Sequence, residues 1–177
     1  MRPIFIIGYM ATGKTTFGRA LARRAGLRHI DLDFYIEQRF HATVRQIFAT
    51  KGEEEFRRIE AAMLREVGEM EDVVISCGGG TPCFSGNMEY MNSLGLTVCL
   101  RASDDVVADR IIRAGDKRPL MAGKSREEVL ESLRCQMTQR DPFYRQAALE
   151  ISGDRLETKA QIADTVSDFM KNLAECK

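Results

Sequence analysis

The stretch Gly8-Tyr9-Met10-Ala11-Thr12-Gly13-Lys14-Thr15 constrains this chain more than any other feature. It follows the apolar run Pro3 to Ile7 and precedes a segment in which Phe17, Ala20 and Leu21 recur at helical spacing until Gly26 offers a stop. A buried strand that turns through glycines into a helix lines up backbone N–H groups inside the turn, at the positive end of the helix dipole. Phosphate oxygens fit there. The Lys14 ammonium would reach the terminal phosphates as a point charge, and the Thr15 hydroxyl would ligate the accompanying Mg2+. A plain glycine turn with an incidental lysine would not need a strand before it and a helix after it.

Composition limits what such a loop can serve. The 177 residues make one domain, 1–177, large enough to bury about two-thirds of its unfolded surface. Lys plus Arg and Asp plus Glu number 26 each, so no global charge draws the chain to nucleic acid or to an anionic membrane. Before Asp31, however, six basic residues stand with no acid, which favours an anionic ligand at that end. The five cysteines include no CxxC pair and sit mostly in apolar runs, as reduced cytosolic thiols do. No apolar run approaches the ~18 residues of a membrane span, and the expectation is a soluble cytoplasmic monomer.

Two hydrophobic periods alternate along the chain. Strands are expected at Ile4–Ile7, His29–Leu32, Val73–Cys77, Thr97–Leu100 and Ala147–Ile151, with helices between them. Thr43 with Gln46, Ser125 with Glu128 and Thr158 with Gln161 form capping-box patterns. This alternation predicts an α/β fold, a parallel sheet covered by helices on both faces. The polar stretch Ala114 to Ser125, broken by Pro119, reads as a mobile loop.

Five further groups carry chemistry. Asp31-Leu32-Asp33 closes the second expected strand, where a period of two turns both carboxylates the same way, at the strand ends where an open α/β sheet holds its ligand. One carboxylate can support a metal and the other accept a substrate hydroxyl, although the pair could equally be a solvated helix cap. Gly78-Gly79-Gly80 lets backbone approach a ligand closely, or is merely a flexible turn. No aspartate closes that strand, which leaves Asp31 to serve the metal. Arg57 is either a site residue or a surface partner of Glu53 or Glu60. Arg118 in the loop and Arg140 after the next helix are each as readily solvated as functional. The two histidines, His29 and His41, sit with no nucleophile or metal cluster, which argues against histidine-based catalysis.

Together GxxxxGKT, DLD, ExFR, GGGT, RPLM and RxPFY, in this order and over essentially the whole chain, resemble the shikimate kinases. The resemblance implies a P-loop fold of the nucleoside monophosphate kinase type, three αβα layers around a five-stranded parallel sheet, with a lid at about 114–125 and a substrate-binding helical segment at about 33–62. It implies transfer of the ATP γ-phosphoryl group, with Mg2+, to the 3-hydroxyl of shikimate. ATP contacts would come from Gly8, Met10, Ala11, Thr12, Gly13, Lys14, Thr15, Thr16 and Arg118, metal contacts from Thr15 and Asp31. Shikimate would be held by Asp33, Arg57, Gly79, Gly80 and Arg140, and Lys14, Asp33 and Arg118 would act in catalysis. One carboxylate suits two arginines, and three hydroxyls suit Asp33 and bare glycine backbone. Arg110 and Arg113 are both candidates for the adenine. A gluconate or nucleoside monophosphate kinase, or a nucleotide-binding module without catalysis, are the rival readings. A module needs no second set of arginines.

Overall fold

The computed structural model describes residues 1–114 and 125–175. Five parallel strands form one sheet in the order β2-β3-β1-β4-β5: β1 (Ile4–Ile7), β2 (Arg28–Asp31), β3 (Val73–Ser76), β4 (Leu96–Arg101) and β5 (Leu149–Ser152). Between them run α1 (Lys14–Ala25), α2 (Leu32–Phe40), α3 (Val44–Gly68), α4 (Asn87–Leu94), α5 (Asp104–Ala114) and α6 (Arg126–Tyr144), and α7 (Lys159–Glu175) follows β5. The α/β class and parallel sheet expected from the alternating periods are present, and so are the five strands that the family resemblance implies.

Strand alternation divides the core in two. Phe5 and Ile7 of β1 face the cluster holding Leu32, Ile36, Phe56 and Leu64, while Ile4 and Ile6 face the one holding Phe17, Leu21, Val166 and Phe169. β1 is therefore buried on both faces, which is why it reads as an unbroken apolar run. Phe17 meets Phe169 edge-on, centroids 5.6 Å apart, and so joins α1 to α7. None of the helices among the described residues is long and apolar enough to cross a membrane.

The capping boxes at Thr43/Gln46 and Ser125/Glu128 form, and Thr158 and Gln161 exchange the equivalent bonds. Gly52 breaks α3 with φ 79° and ψ 172°, a conformation only glycine holds cheaply, so the segment is two helices meeting at a kink. Several boundaries move, and two of the shifts bear on the site. The sixth helix runs past Gln139 through Pro142 to Tyr144. The second strand stops at Asp31, and Leu32 and Asp33 already belong to α2.

The chain steps from β1 outward to β2, back to β3, then across β1 to β4. The loops after β1 and β3 therefore leave in opposite directions, and the crevice between them is where an open sheet receives its ligand.

Candidate active site

The loop after β1 and the glycines after β3 wall a cavity of about 450 Å3. Gly8 has φ 135°, and a side chain there would run into the Leu100 carbonyl oxygen, so the first glycine of the loop is irreplaceable on two counts. Ala11 also holds positive φ, at 62°, the kind of local strain that collects at functional loops. Lys14 Nζ donates to the Tyr9 carbonyl at 2.7 Å, across the mouth of the loop. Thr15 Oγ1 donates to Asp31 Oδ2 at 2.7 Å. Met10, Ala11, Gly13, Lys14, Thr15, Thr16, Asp31, Asp33 and Gly79 all line the cavity. Thr12 does not: it is buried and its hydroxyl donates to the Tyr9 carbonyl at 2.9 Å, bracing the loop from behind.

Asp31 and Asp33 reach one cavity by a route other than strand alternation. Asp31 caps α2, its Oδ1 accepting from the Phe34 N–H at 3.3 Å, while Oδ2 takes the Thr15 hydroxyl. Asp33 points in from the first turn of the helix. Capping and metal support are thus compatible in one residue, because a carboxylate has two oxygens. Burial pushes the Asp33 carboxyl up to about 6, helped by the carboxylates of Asp31 and Glu60 and opposed by Lys14.

Each glycine of the triplet clears room for one polar side chain. A Cβ on Gly78 would stand 2.9 Å from Asp33 Oδ1, on Gly79 3.2 Å from Arg140 Nη1, and on Gly80 2.8 Å from Arg57 Nη2. Side chains at these three positions would crowd Asp33, Arg140 and Arg57, with Thr81 and Glu60 also close to Gly78. Arg57 is held by Glu60 at 2.8 Å and Glu53 at 3.2 Å, and its guanidinium lies 4.0 Å from the Phe84 ring centroid. Arg140 lies over the Tyr9 ring at 5.3 Å. Arg57 pairs with both Glu53 and Glu60, as its helical spacing allowed, and its guanidinium also meets Gly80.

At the other end of the cavity, with Leu156 and Glu157, stands Arg110. Its Nη1 donates to the Ala11 and Thr12 carbonyls at 3.1 and 3.3 Å, and its Nε to Glu157 at 2.7 Å. Arg113 shares Glu157 but is 68% exposed and does not line the cavity, so of the two arginines it is Arg110 that reaches the cavity. Arg118, and the loop residues 115–124 around it, lie outside the described residues.

Two groups were not anticipated as parts of the site. Glu60 is 1% exposed, and besides Arg57 it accepts from Thr81 Oγ1 at 2.6 Å. Its place beside Ile59 on a helix face gives no sign of burial; only the glycine triplet opposite brings it inside. Tyr144, buried, donates from its hydroxyl to the Gly79 carbonyl at 2.6 Å and ties α6 to the triplet. The aromatic at the end of RxPFY was its only signal.

Thr15 and Asp31 offer adjacent oxygens, the donors a hard divalent cation takes. Among the described residues no group of three or more His, Cys, Asp or Glu is placed to hold a metal, so the remaining ligands of such an ion would be phosphate and water.

Comparison with known proteins agrees with this geometry. Residues 10–171 match the family model described as shikimate kinase. The chain is 50% identical over 173 residues to a shikimate kinase of Phocaeicola vulgatus, covering 98% of this chain and 99% of the relative. The crystal structure of the shikimate kinase of Bacteroides thetaiotaomicron superposes with a TM-score of 0.94 at 45% identity, over 98% of both chains. That of Acinetobacter baumannii, solved in complex with shikimate, superposes with a TM-score of 0.86 at 30% identity, over 100% of this chain and 95% of the other.

Proposed function

The chain belongs to the shikimate kinase family and has that family's activity in the shikimate pathway; from this we propose that the cavity carries the γ-phosphoryl group of ATP to the 3-hydroxyl of shikimate, with Mg2+. The observation that carries the reading is the meeting of Asp33, Lys14 and Thr15 in one cavity that Gly78 and Gly79 help to wall. Phosphoryl transfer requires the attacking hydroxyl and the γ-phosphate to be held together in line, and residues suited to each line the same crevice.

Each residue then has a distinct task. The backbone N–H groups of the loop from Gly8 to Thr15 hold the phosphates, and Lys14 exchanges its bond to the Tyr9 carbonyl for the terminal phosphate. The metal, held by Thr15 with Asp31 behind it, would neutralise charge between the phosphates. Asp33 accepts the proton side of the attacking hydroxyl's hydrogen bond and orients it. A loose transition state asks little of a base, so orientation is the larger part of the task. Arg57 and Arg140 clamp the shikimate carboxylate, with Gly79 and Gly80 letting the ring lie against backbone. Arg110 and Leu156 border the adenine end.

The test is ADP release from ATP and Mg2+ with shikimate, gluconate, AMP or buffer, with phosphorus NMR of the product. Turnover with shikimate alone, and phosphate on the 3-oxygen, is expected. Comparable turnover with gluconate or AMP would remove the acceptor assignment.

A further inference from the structure

Arg101 stands at the C-terminal end of β4 and does not line the ATP cavity, yet it grips α6 one residue beyond Arg140. Its Nη1 lies 2.6 Å from Asp141 Oδ1, and its Nε donates to Glu150 at 2.5 Å. The second Asp141 oxygen accepts from Arg145 Nε at 2.5 Å. Arg101 and Asp141 are 29% and 21% exposed, so the pair is partly shielded from solvent and from salt. Burial alone would raise the Asp141 carboxyl, but the Arg101 and Arg145 guanidiniums hold it below the usual carboxylate range.

This arrangement answers a problem in the sequence. A carboxylate follows directly on the arginine assigned to the substrate carboxylate. Left unpaired, Asp141 would lower the positive potential around Arg140 and would offer its long, flexible side chain a competing partner. With Oδ2 hydrogen-bonded to Arg145 and the charge on Oδ1, which has no hydrogen-bond partner, balanced by the Arg101 guanidinium, it does neither. The same ion pair fastens the end of α6 to β4, while Tyr144 fastens it to the Gly79 carbonyl. Arg140 is thereby held over the Tyr9 ring and against Gly79.

We propose that Arg101 is a positioning residue for the acceptor: by occupying Asp141 it keeps the Arg140 guanidinium against Gly79, beside the cavity, and available to the substrate carboxylate. The inference rests on the assignment of Arg140 given above. Arg101 does not line the cavity, so its effect is expected to fall on one kinetic constant.

Steady-state kinetics of Arg101→Gln, Asp141→Asn, the double variant and Arg140→Ala tests this, with thermal unfolding of each. Arg101→Gln should raise the KM for shikimate by about tenfold, leaving kcat and the KM for ATP within about twofold. Adding Asp141→Asn removes the competing charge, so the double variant should return to within about threefold of the parent, a recovery that simple loss of packing would not give. An unchanged shikimate KM in Arg101→Gln, or a double variant no better than the single, overturns the proposal. If Arg101→Gln does not fold, Asp141→Asn alone decides: a shikimate KM unchanged or lowered supports the competing-charge account, and a tenfold rise defeats it. Arg140→Ala separates the two layers. An unchanged shikimate KM there removes the acceptor assignment and this inference with it, whereas a weakened Arg140→Ala beside a silent Arg101→Gln removes only the role of Arg101.

Discussion

The Thr15 hydroxyl donates to Asp31 Oδ2 at 2.7 Å, joining the first turn of α1 to the end of β2. The two oxygens belong to elements that meet only because β2 and β3 bring the strand end round to the phosphate loop. Asp31→Asn keeps the cap on α2 through its amide oxygen but loses the charge that supports a divalent ion. Turnover at saturating Mg2+ should stay near the parent, while the Mg2+ needed for half-maximal rate rises by about tenfold. A Mg2+ titration of ADP release checks this, and an unaltered midpoint would dissociate Asp31 from the metal.

Asp33 should govern the acidic limb of the rate profile. With its carboxyl pushed up to about 6 by burial and by Asp31 and Glu60, the ionised form that accepts the acceptor hydroxyl is lost as pH falls through that value. The kcat/KM for shikimate should therefore fall below an apparent pKa of about 6. Asp33→Asn should abolish transfer and leave ATP binding largely intact. A profile flat from pH 5 to pH 8, read as about those limits, would contradict the assignment.

The same residue should oppose stability. Its folded value, about 6, lies above the ordinary 3.8, so between those values the folded chain holds a proton that the unfolded chain has released. Stability contributed by protonated Asp33 is thus present at low pH and lost as pH rises from about 4 to about 6. Above that range the folded protein carries an unfavourable ionised carboxylate worth at most about 3 kcal/mol. Asp33→Asn should melt higher than the parent at pH 7, the usual exchange of stability for function. Scanning calorimetry at pH 4 and pH 7 checks the sign.

Glu60→Ala should have the opposite effect. It leaves Arg57, 15% exposed, without its buried partner and Thr81 without an acceptor. Breaking a buried pair from one side costs about 3–5 kcal/mol, which for a chain of this size lowers Tm by roughly 10 °C. Thermal unfolding that matches the parent would mean that Glu60 contributes nothing to holding Arg57.

Arg57→Ala and Arg140→Ala should each weaken shikimate binding by tenfold or more, since a charge-assisted bond to a carboxylate is worth about 1.5–3 kcal/mol. ATP binding should be spared because neither side chain is among those that line the cavity with Lys14 and Thr15. Calorimetric titration with each ligand separates the two effects.

The phosphate loop could be read in the sequence because its physics is local. Two glycines, a lysine and a threonine between a strand and a helix act through backbone geometry that neighbours in sequence supply. The alternating periods were legible for the same reason, and so were the caps at Thr43, Ser125 and Thr158, each a bond across three residues. Asp31 and Asp33 were expected on one side by strand alternation, and both do line the cavity, but Asp33 enters it from a helical turn, because Asp31 caps α2 and the helix begins at Leu32.

What the sequence determined by itself was the class of fold, the phosphate end of the site and the identity of the groups near it. Tertiary structure decided their partners. Glu60 is an ordinary helix-face acid until the glycine triplet, twenty residues or so further on, closes over it and makes it the buried holder of Arg57. Arg110 and Arg113 are indistinguishable in one dimension, three residues apart on one helix, and are separated only because Arg110 faces the Ala11 carbonyl while Arg113 faces solvent. Arg101 and Asp141 are forty residues apart and meet because β4 ends beside the last turn of α6. Burial and charge pairing depend on what the far parts of the chain place opposite a residue, and a linear pattern carries the residue without its opposite.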